Sequence, residues 1–390
     1  MRIAYVLYDF DIGGMPGWIH RLAAQLHRRH EIHFLATLVP RIAPKFSEVG
    51  TARFLGPRWP ALYGYLRDHQ IDLVQYGQSR LHGECALAAG VPVVIERTDG
   101  VRGEAITESK RGLDAVIASS RGTMPILERL ISPDRVQLIY NGVDTRQAQR
   151  AVPDRLGFAD SDVLIGRLSR FGRGKHLHLL IDAIRILKDR YPQARLVLVG
   201  GNSKTPGAED YERELRARAA DLQPWVRFVG PVDDASSLIA GFDIGTCVSR
   251  AGNEGIPNSL MECMAAGKPV VATAVDDVPE LVVDGESGLL VEDDNLQQLV
   301  DALEVLIADP ARRAAIGTRA RARIEQHFDV AVQAARYEAL YEQLLAAAAV
   351  RPQLARRVFV LPLMARAARR AMTGSRLLAP VGRLRWRDPL

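Results

Sequence analysis

Four charged side chains and a pair of glycines have types and spacings that can do chemistry. Glu254 and Glu262 lie eight residues apart within Gly252–Glu280, GNEGIPNSLMECMAAGKPVVATAVDDVPE. The first sits in a glycine-flanked loop and the second in a short helix that runs on into a buried strand. Ionised carboxylates only accept hydrogen bonds, so the pair suits a ligand rich in hydroxyls. Between them, Ile256-Pro257-Asn258-Ser259 marks the helix start, with Asn258 or Ser259 as candidate N-cap. Such a start offers backbone N–H groups and the positive end of the helix dipole, which suit a phosphate. The stretch reads as a seat for a sugar nucleotide. A blander reading stays open for Glu262, because Ser259-x-x-Glu262 also fits a capping box.

Arg167 and Lys175 are the cations that can complete such a seat, in Gly166-Arg-Leu-Ser-Arg-Phe-Gly-Arg-Gly-Lys175. Arg167 ends an apolar strand and Lys175 follows a turn. Ligands of open α/β sheets sit outside the carboxyl ends of strands, where two cations can neutralise a leaving diphosphate. The alternative is a solvated basic loop, since Arg170 and Arg173 crowd the same turn. Gly13-Gly14 follows the strand Ile3–Leu7 and precedes a helix-period segment from Trp18 to Leu26. The pair is either a simple tight turn or an anion-approaching Rossmann-like turn.

The elements needed to position these residues alternate along the chain. Short apolar strands are expected at Ile3–Leu7, Glu31–Ala36, Asp72–Tyr76, Val91–Ile95, Asp114–Ser120 and Val136–Tyr140, with a helix at Arg121–Leu130. Asn141-Gly142-Val143-Asp144 ends this half, and the polar stretch Thr145–Asp162 suits a linker. The alternation restarts at Val163 and closes with helices at Leu296–Ile307 and Arg312–Gln326. This predicts an α/β fold of two doubly wound, Rossmann-like domains facing a central cleft. The expected boundaries are 1–150 for the first domain and 151–328 for the second. A helix over 329–350 is expected to cross back to the first domain, and 351–390 forms a basic, partly amphipathic tail.

A chain of 390 residues with 47% hydrophobic and 25% charged residues suits two globular domains. Residues 351–390 hold ten arginines and one acid, Asp388, a charge of +9; with +5 for the whole chain, residues 1–350 carry −4. The basic balance therefore belongs to the tail and gives no reason to expect nucleic-acid binding by the body. Cys85, Cys247 and Cys263 lack disulfide or metal-ligand spacing. No apolar run reaches spanning length and the first residues read as a strand, which together predict a cytoplasmic protein.

The sequence resembles the retaining glycosyltransferases of family four, which have the GT-B fold. The resemblance rests on Glu254-x7-Glu262 with EGIPNSLMECMAAGKPVVAT, on IGG with its helix, on IYNGVD at 139–144 and on IGRL at 165–168 with Lys175. It continues through LVLVGG at 196–201, VRFVGPVDD at 226–234 and VPELVVDGESGLLV at 278–291, in order from residue 1 to about 347. It implies that Arg167 and Lys175 hold the donor diphosphate, that Glu262 binds the ribose and that Glu254 contacts the donor sugar. Backbone N–H groups from Ile256, Asn258 and Ser259, beside Pro257, would hold the β-phosphate. Gly13 and Gly14 would approach the diphosphate beside the acceptor, and Val232 and Asp233 would lie near the base. It also implies a nucleotide-sugar donor, favouring UDP, a glycan or lipid-linked acceptor, no metal and no cofactor. The family often carries a histidine near Thr98-Asp99-Gly100; here Asp99 or His82 stands in for it, or Asp99 serves a helix-capping or turn role instead. The longer spacing from Arg167 to Lys175 leaves Arg170 or Arg173 as sharers of the phosphate role. The tail either docks on an anionic membrane surface or is a solvated, partly disordered extension. A sugar-nucleotide epimerase on the same fold and a non-catalytic nucleotide-sugar binder are the rival functions.

Overall fold

The computed structural model describes residues 1–10, 14–77, 79–98, 112–201, 208–232 and 234–350. The strands fall into two parallel sheets. The first contains β1 (Arg2–Leu7), β2 (Glu31–Ala36), β3 (Thr51–Phe54), β4 (Leu73–Tyr76), β5 (Val93–Thr98), β6 (Ala115–Ala118) and β7 (Val136–Leu138), in the order β3-β2-β1-β4-β5-β6-β7. The second contains β8 (Val163–Leu168), β9 (Ala194–Val199), β10 (Val226–Gly230), β11 (Ile244–Cys247), β12 (Val270–Thr273) and β13 (Leu289–Val291), in the order β10-β9-β8-β11-β12-β13. Each sheet therefore reverses strand order beside its first strand, at β1/β4 and at β8/β11. Such switch points are where open α/β sheets accept ligands.

Helices α1 (Gly14–Leu26), α2 (Phe46–Val49), α3 (Trp59–Asp68), α4 (Arg80–Ala88) and α5 (Met124–Glu128) belong to the first half. Then come α6 (Thr145–Arg150), α7 (Leu177–Leu187), α8 (Ala208–Arg218), α9 (Ser236–Gly241), α10 (Asn258–Ala265), α11 (Val278–Leu281), α12 (Leu296–Ala308), α13 (Pro310–His327) and α14 (Val330–Val350). The chain forms two compact units. Of the described residues, one unit holds those within Met1–Ser119 and Thr123–Tyr140 and those from Gln333 to Val350; the other holds Ser120–Gly122 and those within Asn141–Val332.

Alternation along β1 explains how the first sheet is covered on both faces. Ile3, Tyr5 and Leu7 join Trp18 and Leu22 of α1 in one core, while Ala4 and Val6 join Leu62 and Leu66 of α3 in another. Tyr337, Leu340 and Tyr341 of α14 enter the first of these cores. In the second unit, Leu177, Leu180, Ile181 and Ile184 line one face of α7 and pack with Ile165, Leu196 and Leu303. Each fully buried Leu or Ile of this kind contributes roughly 1.5–3 kcal/mol relative to exposure.

Three expectations need correction. The stretch Thr145–Asp162 is not simply a linker: Asp144 caps α6, accepting the Gln147 N–H at 2.9 Å, and α6 packs against α9 and α10. The first unit accordingly gives way to the second at Tyr140/Asn141 rather than at residue 150. The helix expected at Arg121–Leu130 is confined to Met124–Glu128, since Pro125 sets a start rather than an interior. Finally, β3 was not anticipated. It is an edge strand with mostly exposed side chains, so its alternation carries no hydrophobic signal.

Candidate active site

A buried polar cluster of the second unit lies at its switch point. Arg167, in β8, is only 1% exposed, and its Nη1 donates to the Thr246 carbonyl of β11 at 3.1 Å. Its Nη2 donates to Ser249 Oγ at 3.3 Å and lies 3.5 Å from Glu254 Oε1. Lys175 Nζ donates to the same Oε1 at 2.6 Å and to the Asn253 carbonyl at 2.7 Å. Ser249 Oγ and Cys247 Sγ add donors to that oxygen at 2.5 and 3.6 Å. All of these contacts use Oε1.

Burial by itself raises the pKa of the Glu254 carboxyl, but Lys175 and Arg167 outweigh it and hold the group below the ordinary carboxylate range. Cys247 is pushed up to about 11 by burial, so it stays a neutral thiol here. The ionised state is thus one carboxylate between two cations, with Lys175 the most accessible member at 20% side-chain exposure.

Local sequence explains how the pieces meet. Lys175 ends a short 3-10 turn, Arg173–Lys175, and the following His176 adopts φ +43 to begin α7. Gly174 lies so close to the loop that a Cβ there would meet Asn253 Oδ1 at 2.3 Å. Likewise a Cβ at Gly245 of β11 would fall 2.7 Å from Cys263 Cβ, which is why α10 can sit directly on the strand. Asn141 Nδ2 donates to Asn258 Oδ1 at 3.1 Å and ties the start of α10 to the chain preceding α6.

The helix frame removes the capping-box reading of Glu262. Pro257, not Asn258 or Ser259, is the N-cap residue of α10, and no side chain caps this start. The Leu260 and Met261 amides both bond the Pro257 carbonyl. Glu262 is therefore the fifth residue of the helix, beyond the N3 position that a capping box requires. It is half-buried, as are Asn258 and Ser259, while Ile256 and Pro257 are buried.

Other expected residues lie elsewhere. Val232 follows β10, two strands from Arg167's strand, and is half-buried. Gly14 opens α1 in the first unit. Gly13, Asp233, Asp99 and the tail 351–390 lie outside the described residues. Arg173 does not join the cluster: it pairs with Glu214 of α8 at 2.9 and 2.5 Å, and Arg170 is exposed. His82 is fully buried at the carboxyl side of the first sheet, with Nε2 2.8 Å from Thr37 Oγ1. Burial lowers its pKa to about 4, so its ring is neutral at ordinary pH.

Several residues went unsuspected in the sequence: Ser249, Thr273, Asp276 and Asp293. Thr273 Oγ1 accepts the Ser249 N–H at 3.0 Å and donates to the Ser249 carbonyl at 2.8 Å. Asp276 and Asp293 accept backbone N–H groups of the loop bearing Glu254. The strand-end position of Thr273 was the one available signal; the aspartates had none.

Comparison with known proteins covers both units. Residues 162–309 match the family described as Glycosyl transferases group 1, and residues 12–147 match Glycosyltransferase Family 4. The D-inositol 3-phosphate glycosyltransferase of Corynebacterium aurimucosum is 32% identical over 58% of this chain, which spans 56% of that relative's length. A GDP-mannose-dependent monoacylated alpha-(1-6)-phosphatidylinositol monomannoside mannosyltransferase of Corynebacterium glutamicum is 27% identical over 82% of this chain and 92% of its own length. Among solved structures, Anabaena HepE in complex with UDP and glucose superposes with a TM-score of 0.74 at 21% identity, over 88% of this chain and all of that one. The last likeness speaks for the fold.

Proposed function

Because the chain belongs to the group 1 glycosyltransferases of family four and has their GT-B fold, we propose that Arg167, Lys175 and Glu254 form the donor end of a retaining, metal-independent sugar transfer. The observation that carries this reading is the convergence of two cations and one carboxylate at the β8/β11 switch point, beside the loop that leads into α10.

In this reading the donor is a nucleoside diphosphate hexose or N-acetylhexosamine, with UDP favoured over GDP. Asn258 after Glu-Gly-Ile-Pro is compatible with a UDP-sugar. Arg167 and Lys175 neutralise the diphosphate as the bond from the anomeric carbon to the β-phosphate oxygen breaks. An acceptor hydroxyl forms the new bond on the same face, and its proton passes to the departing phosphate. No separate base is then required. Glu254 Oε2 accepts from a donor-sugar hydroxyl, Glu262 accepts from the ribose, and amides from Ile256 to Ser259 meet the β-phosphate. Gly13 and Gly14 belong to the acceptor side of the same reaction, and Val232 and Asp233 to the base.

The acceptor is a glycan or lipid-linked molecule of cell-surface glycoconjugate assembly. A lipid-linked acceptor makes membrane contact useful. Residues 351–390, with their charge of +9, supply it by docking on anionic headgroups at the inner face of the cytoplasmic membrane. Among the described residues no helix is long and apolar enough to cross a membrane. Equal co-sedimentation with anionic liposomes in the presence and absence of 351–390 sinks the docking role.

Transfer and hydrolysis assays across UDP- and GDP-sugars, with glycan and polyprenyl-phosphate-linked acceptors, test the activity. Turnover that depends on acceptor is expected. Alteration of the donor sugar without acceptor identifies an epimerase, and binding without turnover identifies a non-catalytic binder. Glu262→Ala must weaken donor affinity; an unchanged affinity removes the ribose assignment.

A further inference from the structure

The loop between β11 and α10 spends every amide N–H from residue 250 to 254 on a definite acceptor. Arg250 donates to the Gly174 carbonyl at 2.9 Å and Asn253 to the Arg250 carbonyl at 3.2 Å. Ala251 donates to Asp293 Oδ2 at 2.9 Å. The two remaining amides go to one side chain: Gly252 to Asp276 Oδ1 at 2.8 Å and Glu254 to Asp276 Oδ2 at 2.9 Å. Asp276 thus brackets Asn253 and fixes the backbone on either side of it, including that of Glu254 itself.

Asp276 is held in an unusual conformation to do this. It stands in the turn from β12 to α11 with φ +49, in the left-handed region that L side chains rarely adopt. It is exposed, so neither packing nor burial retains an aspartate there. A glycine would occupy the same turn without backbone strain. What an aspartate adds over glycine is a carboxylate with two oxygens, and both oxygens are committed to the Glu254 loop.

We propose that Asp276 is a positioning residue for Glu254. By clamping the Gly252 and Glu254 amides, it keeps Glu254 Oε1 turned toward Lys175 and Ser249. The inference rests on the reading that Glu254 meets the donor sugar. Its effect therefore falls on the sugar half of the donor and leaves the nucleoside diphosphate half alone. Asp293 holds the preceding amide and backs the same loop from the β13–α12 connection, without reaching Glu254.

The test compares wild type, Asp276→Gly and Asp276→Asn in the full chain. Affinities for UDP-glucose and GDP-mannose are measured beside those for UDP and GDP. Melting temperature and hydrogen exchange of the peptide covering 249–258 are followed in parallel. Asp276→Gly relieves the strained φ and removes the clamp. It should melt no lower than wild type, exchange faster over 249–258 and lose about 10-fold of its preference for sugar nucleotide over free diphosphate, the equivalent of one lost charge-assisted contact. Asp276→Asn tolerates the left-handed backbone and keeps one acceptor oxygen, so it should recover part of that preference.

Unchanged exchange, an unchanged preference or an equal loss of sugar nucleotide and diphosphate affinity overturns the inference. Glu254→Gln separates the two levels of failure. If it leaves the preference intact, the assignment of Glu254 to the sugar is wrong and the positioning role falls with it. If Glu254→Gln lowers the preference and Asp276→Gly does not, the assignment stands and the clamp alone is wrong.

Discussion

Among the described residues, two arginines are buried in strands, and they pack against different groups. Arg97 of β5 is 2% exposed, and its guanidinium lies 4.8 Å from the Trp18 ring centre. An aromatic seam runs on from there: Trp18 packs on Tyr337, Tyr337 on Tyr341, and the Tyr341 hydroxyl donates to Gln75 Oε1 at 2.6 Å. Arg167 is just as deep and meets a carboxylate, a hydroxyl and, through Glu254, a second cation that reaches solvent. An indole face attracts a cation without fixing which atoms bond, which suits a packing seam. A carboxylate shared between two cations can give way to an incoming anion and keep both cations compensated. A buried charge alone does not mark a site; the accessibility of its partners does.

The difference can be broken first at the aromatic seam. Trp18→Ala removes both a buried indole and the face over Arg97, and chemical denaturation should register a loss of about 4 kcal/mol. Lys175→Ala should behave in the opposite manner, with near-normal stability and kcat/KM down by about 10²–10³, because it deletes one cation facing developing charge. If the Lys175 variant loses stability and keeps activity, the cluster is structural like the Arg97 seam.

A pH titration sharpens the contrast. His82 has a folded pKa depressed from 6.5 to about 4 by burial. Its contribution to stability is fully present above 6.5 and is lost as pH falls toward 4, by about 3 kcal/mol in all. Urea midpoints of wild type and His82→Gln across that window should converge as pH drops. The smallest effect is expected from Tyr341→Phe, which strands the Gln75 carbonyl oxygen for about 1 kcal/mol, read from the same urea curves.

Much of this architecture was legible in the sequence because parallel strands buried on both faces leave short apolar runs, such as LVLV at 196–199, between helix-period segments. Arg167, Lys175 and Glu254 were legible for a related reason: each sits at or just past a strand's carboxyl end, and chain order places those ends together. The clamp on the Glu254 loop was not. Asp276 and Asp293 stand 22 or more residues beyond Glu254 in the chain, and neither a left-handed φ nor a spent amide has a signature in residue type. The Ser259-x-x-Glu262 pattern misled for the complementary reason. Pro257 takes the N-cap place and shifts the helix frame by two residues, which spacing alone does not reveal.

The return of α14 to the first unit has a consequence for how the chain is made. The second unit is nearly continuous in sequence, from Asn141 to Val332 apart from Ser120–Gly122. The first unit's core waits for Tyr337, Leu340 and Tyr341. On a ribosome, then, the half synthesised first is the half that finishes second. A nascent chain stopped short of Gln333 carries an N-terminal sheet whose α1 face lacks these three side chains, a gap open to chaperones and proteases after the later half has its own core.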